Sequence, residues 1–138
     1  MNLEEFVKEK NVKFCEHLIS QEYLHTVEAI LGVSFGPELK TFVLEYGYLF
    51  YEGILIFGIN TVQLLDSEMV KLTMFIHERY PQTKGLIAVE DQGEDYYCLV
   101  NDKDEVFDFD TESEKLTSRS IKLFDYILMR FTLAEESG

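Results

Sequence analysis

Apolar positions along the chain follow two periods, and each change of period marks a new element. Tyr23, Leu24, Val27, Ile30 and Leu31 recur at helical spacing behind Ser20, a residue type that caps helix N-termini. Gly32 stands where a left-handed C-terminal residue belongs. Pro37 opens a second helix at the position where its missing N–H costs nothing; Leu39, Phe42, Val43 and Tyr46 form its inner stripe, and Gly47 stops it. Tyr48-Leu49-Phe50-Tyr51 and Ile54-Leu55-Ile56-Phe57, on either side of Glu52-Gly53, read as two strands joined by a turn. A third helix follows a cap at Asp66 or Ser67, with Met69, Leu72, Thr73, Ile76 and Tyr80 facing inward, and closes at Pro81.

The second half has the rhythm of a meander. Leu86-Ile87-Ala88-Val89, Tyr96-Tyr97-Cys98-Leu99-Val100 and Val106-Phe107-Asp108-Phe109 read as strands, separated by turns at Asp91-Gln92-Gly93-Glu94 and Asn101-Asp102-Lys103-Asp104. Ser118 or Ser120 is expected to cap a last helix with Phe124, Ile127, Leu128 and Phe131 inside. Strands joined by tight turns pair antiparallel. The expected fold class is therefore α+β: a mainly antiparallel sheet with helices packed against it. No linker, repeat or low-complexity stretch interrupts the order, so residues 1–138 are expected to form a single domain with a fraying C-terminus.

Composition supports one core. The 138 residues are 46% hydrophobic and include 11 Phe and 8 Tyr, and a domain of this size buries roughly two-thirds of its unfolded surface. Cys15 and Cys98 form no C-x-x-C; two buried, reduced thiols are expected, with one disulfide between them left open. The start Met1-Asn2-Leu3-Glu4-Glu5 lacks the basic and apolar runs of a signal peptide. The longest strongly apolar stretch, Ile54 to Phe57, falls far short of the roughly 20 residues of a membrane span. A cytoplasmic protein is expected.

No catalytic constellation survives inspection. His17, His25 and His77 stand in no H-E-x-x-H and share no helix face with cysteine at zinc-ligand spacing. Nucleophile elbows and phosphate-binding glycine loops are missing, since Gly32 and Gly36 flank a turn between helices. Cys98 lies mid-strand and reads as a packed thiol. A calcium loop opening at Asp108 fails, with Ser113 in place of the turn glycine and Arg119 in place of the bidentate glutamate. Neither a catalytic nor a metal site is expected, and no cofactor.

Charge changes the picture most. The net charge is −14, and between Glu90 and Glu114 eleven acids face Lys103 alone, a balance of −10 in 25 residues. Such a field repels nucleic acid and anionic membrane and attracts basic surfaces. Several of these acids fall on turns; the alternative reading is a solvated hairpin edge kept from aggregating by charge. A second candidate surface is aromatic, Tyr46, Tyr48, Phe50 and Tyr51 with Glu52; strand alternation sets Tyr48 and Phe50 on one face and Leu49 and Tyr51 on the other, Phe50 being expected in the core. Tyrosine offers large contact area at low ordering cost. The candidate partner-binding residues are Tyr48, Tyr51, Glu52, Glu90, Asp91, Glu94, Asp95, Asp102 and Asp104.

One ordered set of motifs resembles a known family. Val27-Glu28-x-x-Leu31-Gly32, Pro37-x-x-x-x-Phe42-x-x-x-Tyr46-Gly47, Gly53 and Ile56-Phe57-Gly58-Ile59 are similar to the SUKH superfamily. So are Gly85-Leu86-Ile87, Asp95-Tyr96-Tyr97-Cys98-Leu99, Val106 and Ser120-x-x-x-Phe124-x-x-Ile127-Leu128, and the likeness runs over about residues 20–131. The sequence departs from it in having no Trp and in carrying Tyr46-Gly47-Tyr48 where many relatives have Asn-Gly. The resemblance implies a non-enzymatic protein, either a bacterial immunity protein that neutralises a cognate toxin or a regulator like the fungal cell-wall members. A basic nuclease toxin is the partner that the resemblance and the charge together suggest. A regulatory scaffold module is the first alternative, and a small-ligand or hydrolytic domain with a deep polar pocket the second. Oligomeric state is not legible.

Overall fold

The computed structural model describes residues 1–63 and 66–137. The described elements run α1 (Leu3–Glu9), β1 (Lys13–Phe14), α2 (Gln21–Leu31), α3 (Pro37–Glu45), β2 (Leu49–Tyr51), β3 (Ile54–Ile56), α4 (Glu68–Arg79), β4 (Ile87–Gly93), β5 (Tyr96–Val100), β6 (Glu105–Asp110), β7 (Lys115–Lys122) and α5 (Leu123–Ser137), with a 3₁₀ turn at Pro81–Thr83. The class is α+β, with every strand pair antiparallel. The strands divide into a three-stranded sheet, β1-β2-β3, and a four-stranded meander, β4-β5-β6-β7.

Local chemistry accounts for most boundaries. Ser20 Oγ accepts from Tyr23 N at 3.1 Å, and Gly32 ends α2 in the left-handed region. Pro37 occupies the first turn of α3. Glu52-Gly53 and Glu94-Asp95 both have positive φ at two successive residues, the backbone of a tight hairpin turn that matches strand twist. The second turn lies later than the sequence suggests, because β4 continues through Asp91 to Gly93.

Three elements go beyond the sequence reading. α1 is capped by Asn2, whose Oδ1 accepts from Glu5 N at 2.9 Å, and it buries Leu3, Phe6 and Val7. β1 pairs with β2. The segment expected to cap the last helix at Ser118 or Ser120 is instead β7, an edge strand exposed along most of its length. α5 starts at Leu123, where Glu38 Oε1 accepts from Phe124 N at 2.8 Å and the Asp104 carbonyl from Leu123 N at 3.0 Å.

The meander is covered on both faces. Ile87, Val89, Cys98, Val100 and Val106 pack toward the main core, with Tyr126, Ile127 and Phe131 of α5 and residues of α1, α2 and α3. Ala88, Leu99 and Phe109 point the other way onto Ile76 of α4. Full burial of one such side chain contributes about 1.5–3 kcal/mol. The main core therefore joins both sheets and fixes the edge of β3 beside that of β4, where the hydrogen bond from Phe57 N to the Val89 carbonyl (2.7 Å) ties them.

Candidate functional site

Past that single hydrogen bond the two edges separate. Gly53, Ile54, Leu55 and Phe57 line one side of a cleft of about 620 Å³; Glu90, Asp91, Gln92 and Gly93 line the other, with Glu68 and Arg130 completing it. A smaller hollow of about 330 Å³ shares Leu55, Phe57 and Glu68 with the cleft and adds Tyr48. β2–β3 register places Phe50 opposite Leu55, so both project from the outer face of the small sheet, 38% and 39% exposed. The result is an apolar strip rimmed by carboxylates.

The predicted residues fall into three groups. Glu52, Asp91, Glu94 and Asp95 are exposed and gather at the mouth of the cleft, because Gly53 and Gly93 line it and each adjoins a hairpin turn. The β6–β7 turn lies alongside: Thr111 N and Oγ1 both donate to the Asp95 carbonyl, at 3.0 and 3.1 Å. That contact adds the acids at 110, 112 and 114 to the same end of the meander. Tyr48, half-buried, stands at the far end of the apolar strip. Asp102 is exposed at the opposite end of β5, in a separate hollow with Glu28 and Lys84, and does not join the others.

Three expected contact residues turn out to be structural. Glu90 is 2% exposed; it accepts from the Tyr126 hydroxyl at 2.6 Å and from Arg130 Nε at 3.2 Å to each carboxylate oxygen. Those bonds hold the Arg130 guanidinium charged, raising its pKa, although burial opposes them. Asp104, also 2% exposed, turns inward at φ 62 and takes Glu38 N and Leu39 N on its two carboxylate oxygens, at 2.9 and 3.0 Å. Tyr51 lies between Phe6 and Phe131, ring centroids 5.3 and 5.5 Å away, and donates to Glu135 Oε2 at 2.6 Å. The expected alternation of β2 holds, but with its inner face reversed: Phe50 is exposed, while Leu49 is buried and Tyr51 half-buried against the core.

Sequence reasoning missed Leu55 and Phe57 as cleft residues. Their apolar run reads as core, and only pairing can show which edge stays open. The acids at 110, 112 and 114 were visible within the charge run, but nothing local told them from Asp102.

Several of the remaining polar groups have structural partners, whereas Asp108 Oδ1 is buried without one. Asp110 Oδ1 accepts from Glu112 N at 2.9 Å, and its Oδ2 from Ser113 Oγ at 3.0 Å, so this carboxylate organises its own turn. Burial would raise its pKa, but the bonds from Ser113 and Glu112 hold it below the usual value. The Asp110 charge in turn pushes the neighbouring Tyr96 phenol up. Burial pushes the Cys98 thiol far up, which removes it as a thiolate nucleophile. Cys15 and Cys98 are both buried and unpaired with each other. His77 Nε2 donates to the Leu86 carbonyl at 2.7 Å. Among the described residues no group of three acids, histidines or cysteines could hold a metal, and no helix is long and apolar enough to cross a membrane.

A family model described as SMI1-KNR4 cell-wall (SUKH_5) matches residues 2–132. No curated protein matches the chain.

Proposed function

The chain belongs to the SMI1-KNR4 family of the SUKH superfamily, and from that premise we propose that it is a non-enzymatic immunity protein that binds a basic toxin and holds it inactive. The family supports an immunity or regulatory role, generally exercised without catalysis. The observation that carries the finer reading is the acidic mouth of the cleft, where Glu52, Asp91, Glu94 and Asp95 surround an apolar strip instead of dispersing over the surface.

A nuclease lines its own cleft with Lys and Arg to neutralise phosphates. A carboxylate-rimmed surface can occupy that cleft and exclude the substrate. Long-range attraction speeds the encounter, and burial of an apolar anchor slows dissociation. In this chain the rim supplies the first effect, and Leu55 with Tyr48 supplies the second. A second reading, a regulatory scaffold docking on endogenous proteins, draws on the cell-wall description of the matching family.

The test is affinity capture from the source cell followed by expression of the captured protein alone. The immunity reading expects a basic protein, eluted by salt, that arrests growth alone and is harmless when this chain is co-expressed. A captured partner that is harmless alone would move the assignment to the scaffold reading.

A further inference from the structure

β3 ends one sheet and β4 ends the other, so each presents a backbone edge outside any ladder. Phe57 meets Val89, while residues 53–55 and 91–93 line the same cleft; the two edges therefore face each other antiparallel. β4 carries register shifts against β5 between Ala88 and Glu90 and between Asp91 and Gly93, the kind of irregularity that bends a strand. Tyr51 and Ile54 flank a two-residue turn and exchange both ladder bonds, so the alternation of an antiparallel pair turns the N–H and C=O of Leu55 outward, into the gap. Phe57, two residues on, does the same, and its N–H reaches Val89.

The charges in the gap are one-sided. Arg130 is engaged by Glu90, and Lys71 holds Glu68 at 3.1 Å. That leaves Asp91, one oxygen of which accepts from Gly93 N at 2.8 Å, with Glu52 and Glu94 at the mouth, as the carboxylates without a cationic partner that face whatever enters, and the Leu55 side chain beside them.

We propose that the gap between β3 and β4 is a strand-acceptor slot: an extended segment of the partner, alternating Lys or Arg with apolar residues, pairs with Leu55 on the free edge of β3. Its cations meet Asp91, Glu52 and Glu94, and its apolar side chains cover Leu55. A volume of about 620 Å³ takes about four residues of extended chain at ordinary strand spacings. Backbone pairing gives affinity in this mode, and alternate side chains give selectivity. The slot rests on the reading of a basic protein partner and specifies how that partner is held.

The experiment uses the isotope-labelled full chain and two synthetic peptides of equal charge, one alternating lysine with valine, the other lysine with proline. Proline has no N–H and cannot form a ladder. The slot predicts that the lysine–valine peptide shifts the amides of Leu55 and Asp91 and slows exchange of the Leu55 amide by about tenfold or more, and that the lysine–proline peptide does neither. Equal shifts from both peptides, confined to residues 94–95 and 110–114, would overturn the slot and leave the acidic-mouth reading standing. No response to either peptide would overturn both.

Discussion

Asp104 lies in an acidic turn, yet its carboxylate caps α3 through Glu38 N and Leu39 N, and Glu38 in turn caps α5 through Phe124 N. Gly36 makes room for this, since a Cβ there would lie 2.5 Å from Asp104 Oδ1. Asp104→Ala is expected to lower stability by about 1–2 kcal/mol, the cost of a lost helix cap, seen as a lower urea midpoint without a change in partner on-rate. Sequence could not reveal this role, because the capped amides are 66 and 65 residues away; the same holds for Glu90 and Arg130, 40 apart. The Tyr51–Glu135 pair has a pH signature. The hydrogen bond to Glu135 pushes the Tyr51 phenol from 10.0 up to about 12. That bond stabilises the fold fully below pH 10 and is lost as pH rises through about 12. The same bond, with help from Lys10, holds the Glu135 carboxyl below its usual 4.5, so its contribution is present above that pH and disappears as pH falls through the lowered value. Carbon-labelled tyrosine resonances followed against pH should show Tyr51 titrating near 12, and returning toward 10.0 in Glu135→Gln. A Tyr51 midpoint unchanged by that substitution would break the pairing.

At the scale of elements, the small sheet is locked to the helices where two glycines cross. A Cβ on Gly58 would lie 1.6 Å from the Gly47 carbonyl oxygen, a backbone atom that cannot move aside. Gly58→Ala is therefore expected to abolish the cooperative thermal transition or to lower its midpoint by well over 10 °C, about 2 kcal/mol or more for a chain of this size; an unchanged melting curve would refute the crossing. Element legibility followed burial. α2 and α3 each bury one face and carry their own start and stop residues, Ser20 and Gly32 for one and Pro37 for the other, so their patterns were readable. β7 is exposed along most of both faces and has no alternation to read. α1 is seven residues long, and the Leu3-Phe6-Val7 spacing with Asn2 as cap was its only signal. For β2 the alternation was visible but its polarity was not, since α1 and α5 decide that Tyr51 faces inward.

Over the whole molecule, the net charge of −14 acquires meaning from where the fold sends the acids. Two of the nine predicted contact residues, Glu90 and Asp104, are buried and structural; Tyr51 packs half-buried against the core; Asp102 lies at the far end of the meander. The others frame one surface, with the apolar strip from Tyr48 to Leu55 and the cleft between the sheet edges. The resemblance in sequence pointed to the family, and the family match over residues 2–132 agrees. The central claim is that this surface captures a basic protein by charge steering, and the most direct measurement is the association rate of the captured partner at low and high salt. The comparison is between the natural chain and the variant Asp91→Lys, Glu94→Lys, Asp95→Lys. The on-rate of the natural chain is expected to fall steeply with salt, and that of the variant, still cooperatively folded, to be slower by about tenfold or more at low salt. Equal on-rates for the two proteins, unaffected by salt, would contradict the central claim.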